Sequence, residues 1–272
     1  MLKYVAISIF VPLLIAVGIC EAKSHFAESE FNPMILKINE DNFLGKPVPD
    51  IAITDETGKK LSLHSLTNRP LILLLIYFDC PVMCPLLGEG LAGALENMKD
   101  LKTGSDYNVL VLSFNKNDST AKAVSFHEQL KKKTSFPDVS KWVFATAKEE
   151  DIKALTEATG YRFFLNEDNM FVHPSVYIFL SPARKITRYI FGIKPDAFNI
   201  RLAILESAKG LTGKVPISSL VTLACYKYNS ESHGYMLDIT FLFESIGVFM
   251  AGMVGILSFI VYRKKTNLRR GE

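Results

Sequence analysis

Cys80 and Cys84 stand four positions apart in Phe78-Asp79-Cys80-Pro81-Val82-Met83-Cys84-Pro85. On one helical turn that interval would set both sulfurs on one face, within reach of each other or of a shared metal ion. The pair follows an apolar run and opens a helical pattern, and the unpaired N–H groups of a helix start favour thiolate over thiol. Two low-pKa sulfurs at an exposed loop–helix junction are therefore expected, a redox-active pair that can be disulfide or dithiol. Taken alone, a Cys-x3-Cys pair is also compatible with a purely structural disulfide. The third candidate is His173, in Phe171-Val172-His173-Pro174. Without the cysteines it would read as an ordinary loop residue.

The elements that must position these residues can be read from periodicity. Leu71 to Phe78 is apolar throughout, as in a strand buried on both faces, and predicts the central strand. Leu87, Leu91, Leu95 and Met98 form the apolar stripe of the helix that follows. Gly88, Gly90 and Gly93 each cost that helix about 1 kcal/mol against alanine, which points to close packing on the sheet. Strands are predicted at Tyr107–Phe114, Trp142–Ala145 and Ser175–Leu180, the last turning at Pro182–Arg184 into a hairpin partner, Lys185–Phe191. Helices are predicted at Ser119–Lys133, Lys148–Thr159 (closed by Gly160) and Pro195–Lys209. Strand, cysteine pair, helix, then a later hairpin and a final helix is a thioredoxin-like α/β order, a central mixed sheet flanked by helices. In such a fold the loop entering the strand at Ser175 lies beside the cysteine motif, so His173 can complete a Cys2His set. Two soft thiolates and one imidazole, with no fourth ligand evident, suit copper, especially Cu(I), better than a closed structural zinc site.

The chain has 272 residues, 49% hydrophobic and 22% charged, which excludes a disordered, fibrous or low-complexity protein. Four cysteines are too few for a disulfide scaffold. The net charge of +3 comes from residues 263–272, which hold five basic residues and one acid. The body has no cationic surplus for phosphate backbones, so nucleic acid is not an expected partner. A mean hydropathy of +0.19 points instead to a bilayer. Residues 1–22 read as a signal peptide: Lys3, an apolar run from Val5 to Ile19, and Cys20-Glu21-Ala22 before a cut. An uncleaved anchor and a lipidated Cys20 are the alternatives. Ser245 to Tyr262 is uncharged and would span about 27 Å as a helix, and with Leu242 and Phe243 it matches a bilayer core. Arg263, Lys264 and Lys265 follow at once and place the preceding domain on the non-cytoplasmic side. Gly247, Ala251 and Gly255 form a small-xxx-small face that allows close helix approach. The expected order is signal (1–22), N-terminal extension (23–42), thioredoxin-like domain (43–210), irregular arm (211–241), transmembrane helix (242–262) and basic cytoplasmic tail (263–272).

The motif from Phe78 to Pro85, with His173 lying 89 positions beyond Cys84, resembles the Sco/SenC family of copper-binding, thioredoxin-like proteins over about residues 43–210. Cys225-Tyr226-Lys227-Tyr228 and the C-terminal apolar segment resemble a bacterial subgroup of that family. The resemblance implies a periplasmic, single-pass inner-membrane protein that binds copper through Cys80, Cys84 and His173. It implies a role in metallating the copper centre of cytochrome c oxidase, by handing over copper or by reducing the recipient's cysteines. Its partners would be the oxidase copper-centre subunit, other copper chaperones or thiol reductants, and membrane lipid. Many family members are tethered at the N-terminus, so the C-terminal anchor is a departure. The alternatives are a thiol–disulfide oxidoreductase, with Cys80 attacking and Cys84 resolving, and a peroxide reductase. Cys225 reads as a buried thiol, although a soft ligand or an interchain bond is open to it. His25, His64, His127 and His233 have no second ligand at metal spacing, and the charged neighbours of His127 suggest a solvated face. Gly-rich phosphate loops, nucleophile elbows and paired carboxylates do not stand out.

Overall fold

The computed structural model describes residues 36–98, 100–212, 226–229, 234–237, 243–244, 246–257 and 259. The expected signal segment with Cys20, and also His25, Cys225, His233 and the basic tail, lie outside the described residues. Seven strands form one mixed sheet in the order β2-β1-β5-β4-β3-β8-β9. They are β1 (Ala52–Asp55), β2 (Lys60–Ser62), β3 (Leu71–Ile76), β4 (Asn108–Ser113), β5 (Val143–Ala147), β8 (Val176–Leu180) and β9 (Ile186–Phe191). β4 pairs in parallel with β3 and β5, while β8 runs antiparallel to β3 and to β9. The six residues of β3 are all buried, as their unbroken apolar run requires. Parallel pairing of β3 and β4 brings their carboxyl ends to the same edge of the sheet, where ligands of open α/β sheets sit.

Around the sheet lie α1 (Leu63–Leu66), α2 (Met83–Glu96), α3 (Thr120–Lys133), α4 (Glu149–Thr159) and α5 (Ala197–Ala208). Ser119 and Asp196 cap α3 and α5 through their side-chain oxygens, and Gly160 ends α4 in the left-handed region at φ 66°. The glycines of α2 do not serve contact with the sheet. A Cβ at Gly90 would stand 1.8 Å from Ile193 O in the segment after β9, one at Gly88 would press on Leu130 of α3, and one at Gly93 would meet nothing within 4 Å. The helix approaches a neighbouring backbone and a neighbouring helix, surfaces that helical periodicity cannot reveal.

His127 is buried, contrary to the expectation from its charged neighbours. It shares the α3 stripe of Ala123, Phe126 and Leu130, at the three- and four-residue spacing of a core-facing side. Its Nδ1 faces Glu56 Oε2 at 2.7 Å, and its Nε2 donates to Val139 O at 3.1 Å. A short hairpin of β6 (Phe164–Leu165) and β7 (Phe171–Val172) leads into His173. The arm after α5 is not wholly irregular, because β10 (Tyr226–Asn229) and β11 (Gly234–Leu237) pair antiparallel. Residues 243–244, 246–257 and 259 are helical and exposed. Among the described residues no helix is long and apolar enough to cross a membrane, and the remainder of segment 242–262 lies outside them.

Candidate metal and thiol site

Strand β3 ends at Ile76, and the buried Tyr77 and Phe78 carry the chain to the cysteines. The turn is held by Asp118, whose Oδ2 accepts from Phe78 N (2.7 Å) and Ser113 Oγ (2.6 Å), and whose Oδ1 accepts from Asn115 Nδ2 (3.1 Å) and Lys122 Nζ (3.2 Å). Lys122 also pairs with Asp79. A carboxylate with four donors is well compensated for burial, and it anchors the backbone two residues before Cys80.

Cys80 lies just ahead of α2 rather than on the same helical turn as Cys84. Its sulfur accepts from Cys84 N at 3.2 Å and so satisfies an orphan N–H of the first turn. Both cysteines are free and buried. The hydrogen bond with Cys84 outweighs burial, and with donation from His173 and from the backbone of Cys84 and Val82 it pulls the Cys80 thiol down to about 3. Burial pushes the Cys84 thiol up, and the neighbouring Cys80 sulfur adds to that. The expectation of two exposed, low-pKa sulfurs is therefore corrected. One thiolate at Cys80 leans on one neutral thiol at Cys84, because the second sulfur is enclosed and a second negative charge beside the first is costly.

His173 precedes β8 and reaches the cysteines as the strand order requires: its Nε2 lies 3.6 Å from Cys84 Sγ. Its Nδ1 donates to Tyr161 Oη at 2.8 Å and to Pro174 O at 3.1 Å. Tyr161 Oη in turn donates to Leu75 O at 2.9 Å, and burial keeps its phenol protonated by pushing its pKa well up. With Nδ1 committed, Nε2 is the nitrogen presented to the sulfurs, as a donor to a thiolate or as a lone pair to a metal. Tyr77 and Phe114 pack edge-on to the imidazole, with ring centroids 6.1 and 5.2 Å away. The contacts among the three candidates are pairwise. Among the described residues no three His, Cys, Asp or Glu side chains form a closed metal-binding group. A cleft of about 450 Å³ opens over Cys80 and His173, lined also by Val82, Met83, Met170 and Phe171 among others, with Cys84 enclosed behind it.

No protein-family model matches the chain, and no curated protein matches it. Solved structures do. A candidate electron-transfer protein from Aquifex aeolicus VF5 is 28% identical and superposes with a TM-score of 0.56, covering 61% of this chain and 95% of its own. A SCO1/SenC family lipoprotein from Bacillus anthracis str. Ames is 18% identical, with a TM-score of 0.52 over 61% of this chain and 96% of its own. BsSco, a member of the Sco family of cytochrome c oxidase assembly proteins, is 18% identical, with a TM-score of 0.51 over 61% and 95%. The fold is that of the Sco/SenC proteins.

Within this Sco/SenC fold, motif reading finds Cys80, Cys84 and His173 but misses Asp118, Tyr161 and Tyr77. Asp118 carries a usable signal, since Asn115-Lys116-Asn117-Asp118 is a polar run just after a buried parallel strand, at the sheet edge where sites form. Tyr161 follows the Gly160 cap with no local feature to mark it. Tyr77 reads as the end of a strand, although its phenol is pushed up by burial and by the adjacent Cys80.

Proposed function

We propose that this chain is a membrane-tethered copper-binding metallochaperone of the Sco/SenC type, which supports assembly of the copper centre of cytochrome c oxidase. Copper is its cargo, held by Cys80, Cys84 and His173. The observation that carries this reading is the approach of His173 Nε2 to Cys84 Sγ at 3.6 Å while Tyr161 occupies Nδ1. Two sulfurs and an imidazole nitrogen suit a soft ion. On loading, Cys84 gives up its proton to solvent, and the positive ion offsets the repulsion between two thiolates. Asp118 and the start of α2 hold the sulfurs in place, and Tyr161 holds the ring.

Several observations support the wider reading. BsSco belongs to a family of cytochrome c oxidase assembly proteins. The tether is supported by Ile246, Val248, Phe249, Met250, Val254 and Ile256, all exposed on one helical stretch, as in a helix made for lipid. The basic residues beyond it favour a domain on the periplasmic side. Copper titration of the full chain saturates near one ion per chain, and His173→Ala weakens binding without unfolding the domain. Full copper affinity in that variant would overturn the reading. The asymmetry of the cysteines favours one further reading, reduction of a partner disulfide, with the Cys80 thiolate attacking and Cys84 resolving. Copper-independent reduction of a recipient disulfide to its dithiol at a useful rate would favour it.

A further inference from the structure

Among the described residues of the domain, seven large apolar side chains are exposed, and four of them (Val82, Met83, Leu165 and Met170) belong to the cysteine–histidine cleft or the hairpin beside it. Two of the four are methionines, and both line the cleft itself, Met83 at 39% exposure and Met170 at 43%. They come from separate elements. Met83 is the first residue of α2, next to Cys84, and Met170 lies in the loop that joins β6 to β7. That loop is held fast: Asn166 Oδ1 accepts from Asp168 N at 3.1 Å and Met170 N at 2.8 Å, Asn166 N donates to Met170 O at 2.9 Å, and Asn169 takes the left-handed φ of 57°. Met170 thus stands on a positioned backbone.

A thioether is an uncharged, polarisable donor that binds Cu(I) well and hard cations poorly. Resting on the copper reading above, we propose that Met83 and Met170 form a thioether rim that receives Cu(I) and passes it to and from the cysteine–histidine set. The transfer is a ligand exchange at constant oxidation state. A Cu–S(thioether) bond forms as a bond to the incoming carrier breaks. A Cu–S(thiolate) bond then replaces it, and the Cys84 proton leaves to solvent. A thioether carries no proton, so the rim can bind and release copper without one.

The test follows anaerobic loading of the full chain in detergent from the Cu(I)–bicinchoninate complex. Met83→Leu with Met170→Leu keeps the apolar volume and removes both sulfurs, whereas the double alanine variant removes both. The rim predicts loading slowed about tenfold in the double leucine variant, with equilibrium Cu(I) affinity close to that of the unaltered chain. As a second readout, Ag(I), a redox-inert soft stand-in, shifts the 13C-methyl resonances of Met83 and Met170 in a chain carrying Cys80→Ser and Cys84→Ser. Loading at the unaltered rate in the leucine variant overturns the rim, and so does slowing in the alanine variant alone, which would mark an apolar surface. Unmoved methionine signals overturn it as well. If the unaltered chain takes up no Cu(I), the copper reading itself fails and the rim with it, a result distinct from those three.

Discussion

Tyr161 shows how one hydroxyl can set a ligand. It spends its proton on Leu75 O and offers its oxygen to His173 Nδ1, which leaves Nε2 for the sulfurs. Outer-sphere partners of this kind are worth about 10–100-fold in metal affinity. Tyr161→Phe is therefore expected to weaken copper binding by at least about tenfold with the fold kept, as read by chelator competition and far-ultraviolet circular dichroism. Unchanged affinity would show that Tyr161 does not orient the ring. The Cys80 thiolate makes a separate prediction. Its native value near 3 lies below the ordinary 9.0, so between those values the unfolded chain binds a proton that the native chain does not. Stability from this group is complete above pH 9 and is lost as pH falls toward 3. The urea midpoint of the reduced chain should rise with pH from 5 to 8 more steeply than that of Cys80→Ser. Alkylation of Cys80 should stay fast across that range while Cys84 stays protected; parallel pH profiles would refute the depressed value.

Helix α2 is the element that presents the site, and its glycines test how it is seated. At Gly90 a methyl group would have to displace backbone, because Ile193 O stands 1.8 Å from the Cβ position. At Gly93 the same methyl meets open space. Gly90→Ala should destabilise by about 3 kcal/mol or more through overpacking. Gly93→Ala should stabilise by about 0.5–1 kcal/mol through helix propensity. Urea denaturation of the two variants checks both signs, and equal effects would mean that α2 does not approach the segment after β9 as described. Tyr177 reinforces this seating by donating to Leu87 O in α2 and to Ile193 O.

At the scale of the whole fold, the most deeply buried ion pair among the described residues joins Arg188 of β9 to Glu206 of α5, 2% exposed on each side, with hydrogen bonds of 2.8–2.9 Å. Removing one charge of a buried pair is strongly destabilising, so Glu206→Gln should cost about 3–5 kcal/mol, whereas Arg188→Met with Glu206→Leu should recover most of that loss. Thermal unfolding of the three chains decides it. A double variant no more stable than the single one would mean that the pair matters for its shape rather than its charge balance. The pair is hard to foresee from sequence, because Arg188 sits in a run that otherwise reads as an ordinary hairpin strand.

Local pattern was enough for the order of the main strands and helices, since burial on two faces demands the unbroken apolar run of β3 and amphipathic spacing demands α3 and α4. It was also enough to mark Cys80, Cys84 and His173, whose side chains carry chemistry wherever they sit. Short elements such as β6, β7 and the β10–β11 hairpin left too little periodicity to read. Burial of His127, the unequal charge on the two sulfurs and the roles of Asp118 and Tyr161 were decided only by tertiary structure. Each depends on which distant atoms come within about 3 Å, where hydrogen bonding and desolvation act, and that distance is set by the packing of the whole sheet rather than by any neighbour in the chain.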